Sequence, residues 1–592
     1  IKKSQFLLAQ KKIEKLINNQ PNNPSYKNIL AIIYANQKKF IDSIIVLKDI
    51  INKSPKFIDS YINLGNIYAD LGQLPNAENC LKQAVLINPT HSLLLSRLVE
   101  VYDKQNKHEE ASSLYLRLIE LNPNHLGFLN NYSSKQIELG NLSQAKKTLN
   151  KVLIINPKHI DALINLGVVY INEDSLEKAI QILKLAVKYQ SNHPIACFNL
   201  GSVYQNKAEL KAGTQSEKEQ LNNAISNFKK AIENNPSYVD AYYNLGYVFD
   251  EIGQTKNAIL SYKKAIECDP THSSAHYNLA RAQLAVDDFN NGWKEYERRE
   301  GGTDKYYTKL NIPKEQIWDG SKFDGPLTIH AEQGIGDEIL YSSMFSDLLN
   351  HHKNLIISTD NRLIDLFQRS FPKIKFIGKK ESVDMSKKSK HLLGSSLGKY
   401  FRNSLDDFKK DNKPWLVPNI KKVEEFKKFF PSSDKIRVGL CWRSSGIYNS
   451  KRNVLLTDLV KIFPQDNFEI ISLQYGDIQA DKKNLEDQSN RQLVYFDHLN
   501  YTKDLESLAG LIYNCDLIVS IGGFTASFAS VLGKQTWVIV PAVTDWVWHS
   551  HSNRISSLWF PNIRIFRQKT VNEWGFVFDC IKDEIFIKYI EK

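Results

Sequence analysis

Residues 329–340 read IHAEQGIGDEIL, and the fold of the second half of the chain turns on this stretch. The run 327–331 has the short apolar character of a buried parallel strand. Gln333-Gly334-Ile335-Gly336-Asp337 then makes a tight glycine loop, and 338–349 has helical periodicity. Gly334 and Gly336 let the loop backbone approach a ligand closely, and the start of a helix favours an anion. Asp337 places one carboxylate at the mouth of that loop. An ordinary strand-to-helix turn, with Asp337 capping the helix, would look the same from this stretch alone.

Outward from this loop, short β-rich runs alternate with helical ones after Pro326, the pattern of an α/β architecture. Strands are expected at 327–331, 354–358 and 375–377, with a glycine-serine loop at 391–397, in a first half-domain over 325–434. A second, over 435–592, has expected strands at 436–441, 468–473, 493–496, 517–521 and 536–540. Ligands of such doubly wound sheets sit at the C-terminal ends of the strands. A dinucleotide fingerprint fails, because Gly334-x-Gly336 continues into Asp337 and Glu338 and lacks its third small residue. No GxxxxGK[ST] occurs, which excludes a P-loop.

Before Pro326 the chain is periodic. Pro55, Pro89, Pro123 and Pro157 are spaced by 34 residues, as are Pro236 and Pro270. The longer step from Pro157 to Pro236 places an extra polar insertion within 207–219. In phase run Gly65, Gly167, Gly201, Gly246 and Ala280, then Ala77, Ala111, Ala145, Ala179, Ala224 and Ala258, with Gly292 last. Such a period means helix pairs that bury their apolar faces only by stacking into an α-solenoid. The recurring positions resemble the tetratricopeptide repeat, with about eight full repeats over 22–304 after a lone helix in 1–21. Since the chain starts at Ile1 rather than Met, the array is expected to be truncated. Residues 305–324 read as a connector. Two positions before the glycine column stand Asn63, Asn131, Asn165, Asn199, Asn244 and Asn278, amides able to hold the backbone of an extended peptide in the groove. Asparagine that is merely common at this repeat position gives the same column.

The totals narrow the class. The 77 basic and 65 acidic residues leave +12, interleaved along the chain, which suits anionic ligands. Without an arginine-rich tract or aromatic RNA-binding signature, no nucleic-acid partner is expected. Six scattered cysteines without CxxC spacing argue for reduced thiols and against a disulfide framework or zinc site. With neither an apolar run of membrane length nor a signal peptide, a cytoplasmic protein is expected.

The runs AEQGIGDEILYSSMF (331–345), HLLGSSL (391–397), VGLCWRSSG (438–446), SLQYGD (472–477), LAGLIYNCDLIVSI (508–521), VLGKQTWVIVP (531–541) and SLWFPNIRIFRQ (557–568) occur in order. Together they resemble the transferase half of bacterial proteins related to O-GlcNAc transferase and to the heptosyltransferases. The resemblance implies a GT-B fold of two Rossmann-like halves and a metal-independent inverting glycosyltransferase with no cofactor beyond its nucleotide-sugar donor. It also implies a protein or glycan acceptor recruited by the repeats. Asp337 occupies the position of the general base, which must reach the acceptor hydroxyl; Glu332 and Glu338 are neighbours, the latter expected to cap the helix. The second half would hold the donor. Arg443, Ser444, Ser445, Lys451 and Arg452 offer hydroxyls and cations to a leaving diphosphate, and Gln474 lies at the same edge. Gly522-Gly523 with Thr525 and Ser527 would form a backbone cradle. The chain departs from the heptosyltransferases there, lacking their Asp-Thr and His and the side-chain contacts to the donor that the resemblance assigns to them. That loss leaves a second reading open, a repeat scaffold with a degenerate transferase half. Trp546, Trp548, Trp559 and Trp574 are expected to pack in cores.

Overall fold

The computed structural model describes residues 3–210, 215–299, 302–408, 413–430, 434–444, 451–489, 491–548, 554–570 and 573–591. The chain forms two compact units, Ile1–Asn206 and Lys207–Lys592.

In the first unit the helix Lys3–Asn19 is followed by helix pairs of 13 and 14 residues, from Pro24–Asn36 and Phe40–Lys53 to Ile160–Asn172 and Leu176–Tyr189. The glycine column explains their closeness. A Cβ on Gly65 would lie 2.8 Å from Leu81, and one on Gly167 would lie 2.6 Å from Leu183. Histidines start several of these helices. The Nδ1 atoms of His91, His125, His159 and His193 accept the N–H three residues on, at 3.2–3.3 Å, relieving one of the orphan donors of a helix N-terminus. The helix Pro194–Leu210, at the start of the insertion, is longer than these, with 17 residues.

The second unit opens on the 20-residue helix Gln215–Asn234 and the repeat helices Val239–Glu251, Thr255–Cys268, Ser273–Ala285 and Phe289–Tyr296. The last is a linchpin. Trp293 stands edge-on to Trp546 and Trp559, and its indole N–H donates to the Arg402 carbonyl at 2.7 Å. Gly398 must lack a side chain here, since a Cβ would come within 2.4 Å of the Trp293 ring. Trp546, Trp548 and Trp559 are buried in the same core, as expected. The segment read as a connector is partly ordered structure: a helix Gly302–Lys309, a 3₁₀ turn Lys314–Gln316, and the buried Trp318.

Two all-parallel sheets follow. The first contains β1 (Leu327–His330), β2 (Leu355–Thr359), β3 (Lys375–Gly378) and β4 (Lys390–Leu393), ordered β3-β2-β1-β4. The second contains β5 (Ile436–Cys441), β6 (Phe468–Ser472), β7 (Leu517–Ile521), β8 (Thr536–Val540) and β9 (Ile563–Arg567), ordered β6-β5-β7-β8-β9. The sequence pattern missed β4 and β9. β4 has only four residues and ends at the 3₁₀ turn Gly394–Leu397, so the glycines and serines masked it. The expected strand at 493–496 reduces to one bridge, Val494 to Ile471. The helix after β1 begins earlier than expected and is broken in two, Ile335–Ser342 and Phe345–His351. The Ser342 hydroxyl bonds back to the Ile339 carbonyl at 2.7 Å where the first helix ends. No described helix is long and apolar enough to cross a membrane.

Candidate functional site

Asp337 is the third residue of the helix Ile335–Ser342 and its carboxylate accepts the Gly334 N–H at 3.2 Å, so it does cap the helix. It is half-buried, and burial pushes its carboxyl up to about 6 against the effect of that N–H; Asp545, Glu332 and Glu338 add to the rise. Among the described residues no cation pairs with it. Neither Gly334 nor Gly336 has a positive φ, so the glycines are not demanded by backbone strain. A Cβ on Gly336 would meet nothing within 4 Å, which leaves the loop backbone uncovered.

The neighbouring carboxylates are tied down. Glu332, 4% exposed, pairs with Arg299 at 2.9 Å and accepts the Ser395 hydroxyl. Glu338 does not cap the helix. It is buried, pairs with Lys379 at 2.7 Å, and accepts the Thr359 hydroxyl and the Asp360 N–H (3.0 Å) at the end of β2. A cavity of about 20 Å³, large enough for one water, lies between Glu332, Gln333, Asp337 and Tyr341.

At the end of β7 the Gly522 N–H bonds the Ile539 carbonyl at 3.1 Å, and the Trp548 indole covers the residue: a Cβ there would be 2.9 Å from Nε1. Gly523, in extended conformation, starts the helix Phe524–Val531 and has open space where a side chain would be. Thr525 and Ser527 are buried, and the Ser527 hydroxyl donates to the Gly523 carbonyl at 3.3 Å, so neither points a free hydroxyl outward. The helices Ile335–Ser342 and Phe524–Val531 pack on one another. Asp337 thus lies on a helix that neighbours the one starting at Gly523.

The remaining expected donor groups are largely engaged within the protein. Gln474 is 1% exposed; its amide donates to the Arg443 and Tyr475 carbonyls and accepts the Trp442 and Arg443 N–H groups at 3.0 and 2.9 Å. It braces β5 against β6 instead of reaching a ligand. Arg443 turns to Asp481 (3.0 Å) and the Asp477 carbonyl. Ser444 donates its N–H to Asn453 at 2.9 Å, and Ser445 lies outside the described residues.

Lys451 bridges Glu217 (2.8 Å) and Glu251 (2.7 Å) on the repeat helices. Burial works against its charge, but these carboxylates hold it above the ordinary lysine range. Arg452 faces Asp545 at 4.0 Å, and Arg281 of the last repeat faces the same carboxylate at 3.5 Å. Burial alone would raise Asp545; the two arginines and the Trp546 N–H hold it below its usual value. Glu251, Lys451, Arg452, Arg281 and Asp545, with Asp250 and Asn278, line a cavity of about 120 Å³. No sequence pattern marks Arg281, Asp545 or Arg299, because only the partner of each across the fold gives it meaning.

The asparagine column is mostly half-buried, with Asn131 exposed. Its amides bond between repeats: Asn63 donates to Asn28 at 2.9 Å, Asn165 to Asn130 at 3.0 Å, and Asn278 to the Tyr243 hydroxyl at 3.3 Å. Asn199 and Asn244 occupy the same half-buried position. Inter-repeat bonding therefore engages amide donors that the groove reading would offer to a peptide.

Residues 58–91, 94–125, 136–197, 239–272 and 261–298 match family models of the tetratricopeptide repeat, and 217–253 match a further TPR repeat model. These segments are tetratricopeptide repeats. Protein FlbA of Caulobacter vibrioides is 23% identical over 318 residues, which cover 49% of this chain and 51% of FlbA. The chain thus spans about half the length of that curated relative. A tetratricopeptide repeat protein from Parabacteroides merdae is 17% identical over 45% of this chain and 98% of its own, with a TM-score of 0.36. MamA is 26% identical over 30% of this chain and 97% of its own, with a TM-score of 0.26.

Proposed function

We propose that the chain transfers a sugar from a nucleotide-diphosphate sugar to a protein or glycan acceptor recruited by its tetratricopeptide repeats. In this reading the two parallel sheets are the halves of a GT-B fold. Asp337 takes the proton of the acceptor hydroxyl as its oxygen attacks the anomeric carbon. The bond from that carbon to the diphosphate breaks with inversion, and the diphosphate leaves as an anion. The observation that carries the reading is Asp337, unpaired by any described cation and titrating at about 6, on a helix that packs against the one starting at Gly523. A base with that value is half ionised at about pH 6 and mostly ionised at neutrality, so it is ready to accept a proton there. The uncovered Gly523 N-terminus and Arg452 are the groups assigned to the leaving diphosphate.

Thermal-shift titration with UDP-, GDP- and ADP-linked sugars, followed by donor hydrolysis, tests this. One donor should stabilise both wild type and Asp337→Asn, while turnover should vanish in the variant. Equal turnover in the two proteins would remove Asp337 from the base role. A second reading, a repeat scaffold whose transferase half binds no donor, is favoured by the Trp548 cover on Gly522 and by the internal engagement of Arg443, Lys451 and Gln474. The absence of a shift with every donor would select it.

A further inference from the structure

Beside the edge strand β9 the helix Gly575–Ile585 lines a cavity of about 530 Å³. Its wall carries four cations, Arg554, Arg564, Arg567 and Lys569, and no Asp or Glu among the described lining residues. Two carboxylates stand behind that wall. Asp287 pairs with Arg554 at 2.8 Å, and Glu584 pairs with Arg564 at 2.7 Å. Each pair is bidentate and uses two of the five N–H groups of its guanidinium. Arg567 donates to the Trp548 carbonyl at 2.6 Å, and burial pushes its guanidinium down to about 10. The Lys569 ammonium lies 3.7 Å from the centre of the Phe576 ring. Among the described lining residues the charged side chains are all cationic, and guanidinium forks match phosphate oxygens. The opposite wall is apolar, with Ile555, Phe576 and Val577.

We propose that this pocket binds a small phosphorylated organic molecule, its phosphate on Arg564, Arg567 and Lys569 and its carbon skeleton against Ile555, Phe576 and Val577. The volume falls within the range of small-molecule sites. It is separate from the proposed transferase cleft: Trp548 stands between them, its carbonyl toward Arg567 and its indole on Gly522.

Cys580 lines the pocket and is half-buried, whereas Cys268 is exposed elsewhere, which allows a site-resolved test on the unaltered full chain. Phenyl phosphate and inorganic phosphate serve as probes, and iodoacetamide labelling of each cysteine is followed by peptide mass spectrometry. Phenyl phosphate should slow labelling of Cys580 saturably and leave Cys268 unchanged. Inorganic phosphate should need about tenfold more for the same protection, since it leaves the apolar wall unused. Lys569→Gln, at an exposed position, should raise the half-protecting concentration about tenfold through loss of one charge-assisted contact. No slowing, equal slowing at Cys268, equal potency of the two probes, or protection unchanged in Lys569→Gln would each overturn the proposal. Because Cys580 reports on this pocket alone, the outcome is independent of whether the transferase reading stands.

Discussion

Asp337→Asn removes a carboxylate that the fold holds at a disadvantage, and its effect on stability can be worked out without any substrate. The folded carboxyl titrates at about 6 against an ordinary 3.8, with burial the main cause. A raised pKa means that the folded state is fully favoured below about 3.8 and penalised as pH rises through 6. The difference of about two units corresponds to about 3 kcal/mol at pH 8, at 1.36 kcal/mol per unit. Asparagine keeps an oxygen to accept the Gly334 N–H and carries no charge, so it should recover most of that penalty. The unit Lys207–Lys592 has 386 residues, for which the entropy of unfolding is about 0.8 kcal/mol/K. The expected gain is therefore about 4 °C in Tm at pH 8, falling to nothing near pH 4. Differential scanning fluorimetry of both proteins from pH 4 to 8 measures it. A Tm difference that is zero at pH 8, or that does not change with pH, would show that Asp337 is ionised freely in solvent, and the argument for a base poised near neutrality would fall with it.

Arg299→Gln should destabilise the second unit by about 3–5 kcal/mol in urea unfolding, because Glu332 would be left as a buried carboxylate without its cation; Arg299→Gln/Glu332→Gln should recover much of the loss. In the first unit, Asn63→Ala and Asn28→Ala should each cost about 1 kcal/mol, and the double variant should cost less than their sum, since the two amides share one bond at 2.9 Å. Strict additivity would instead release Asn63 for a ligand. His330 is buried against His391 at 3.0 Å, and burial, with the His391 charge, lowers it to about 4 from 6.5. The stability it contributes is full above 6.5 and is lost as pH falls through 4, by up to about 3 kcal/mol. His330→Gln should flatten the pH dependence of urea midpoints across that window.

Much of the architecture was legible because its signals are local. The 34-residue period repeats the same close approach, Gly65 on Leu81 and again Gly167 on Leu183, so each copy reinforces the reading. The strands β7 and β8 are short, mostly apolar runs buried on both faces, as is the end of β5, and the bounds of all three were readable to the residue. β4 was not, because four residues carrying a buried histidine and running into Gly394 hold too little periodicity to stand out. Asp337 was picked out by its place in the glycine loop, and the structure added what a loop cannot encode, the surroundings that raise its carboxyl to about 6.

The partners of the other candidates were beyond the reach of spacing. Lys451 reads as a cation next to a glycine loop until Glu217 and Glu251, 200 or more positions earlier in sequence, are seen to hold it. Gln474 reads as a ligand-facing amide until two backbones are found on it, and Gly522 as an open turn until Trp548 covers it. The sequence by itself determined the helix repeats, the parallel strands and the carboxylate in the loop, since period and apolar face are properties of short segments. Only the tertiary structure decided which charges neutralise each other and which backbone stays open, because those follow from how distant segments stack, and no local pattern carries that information.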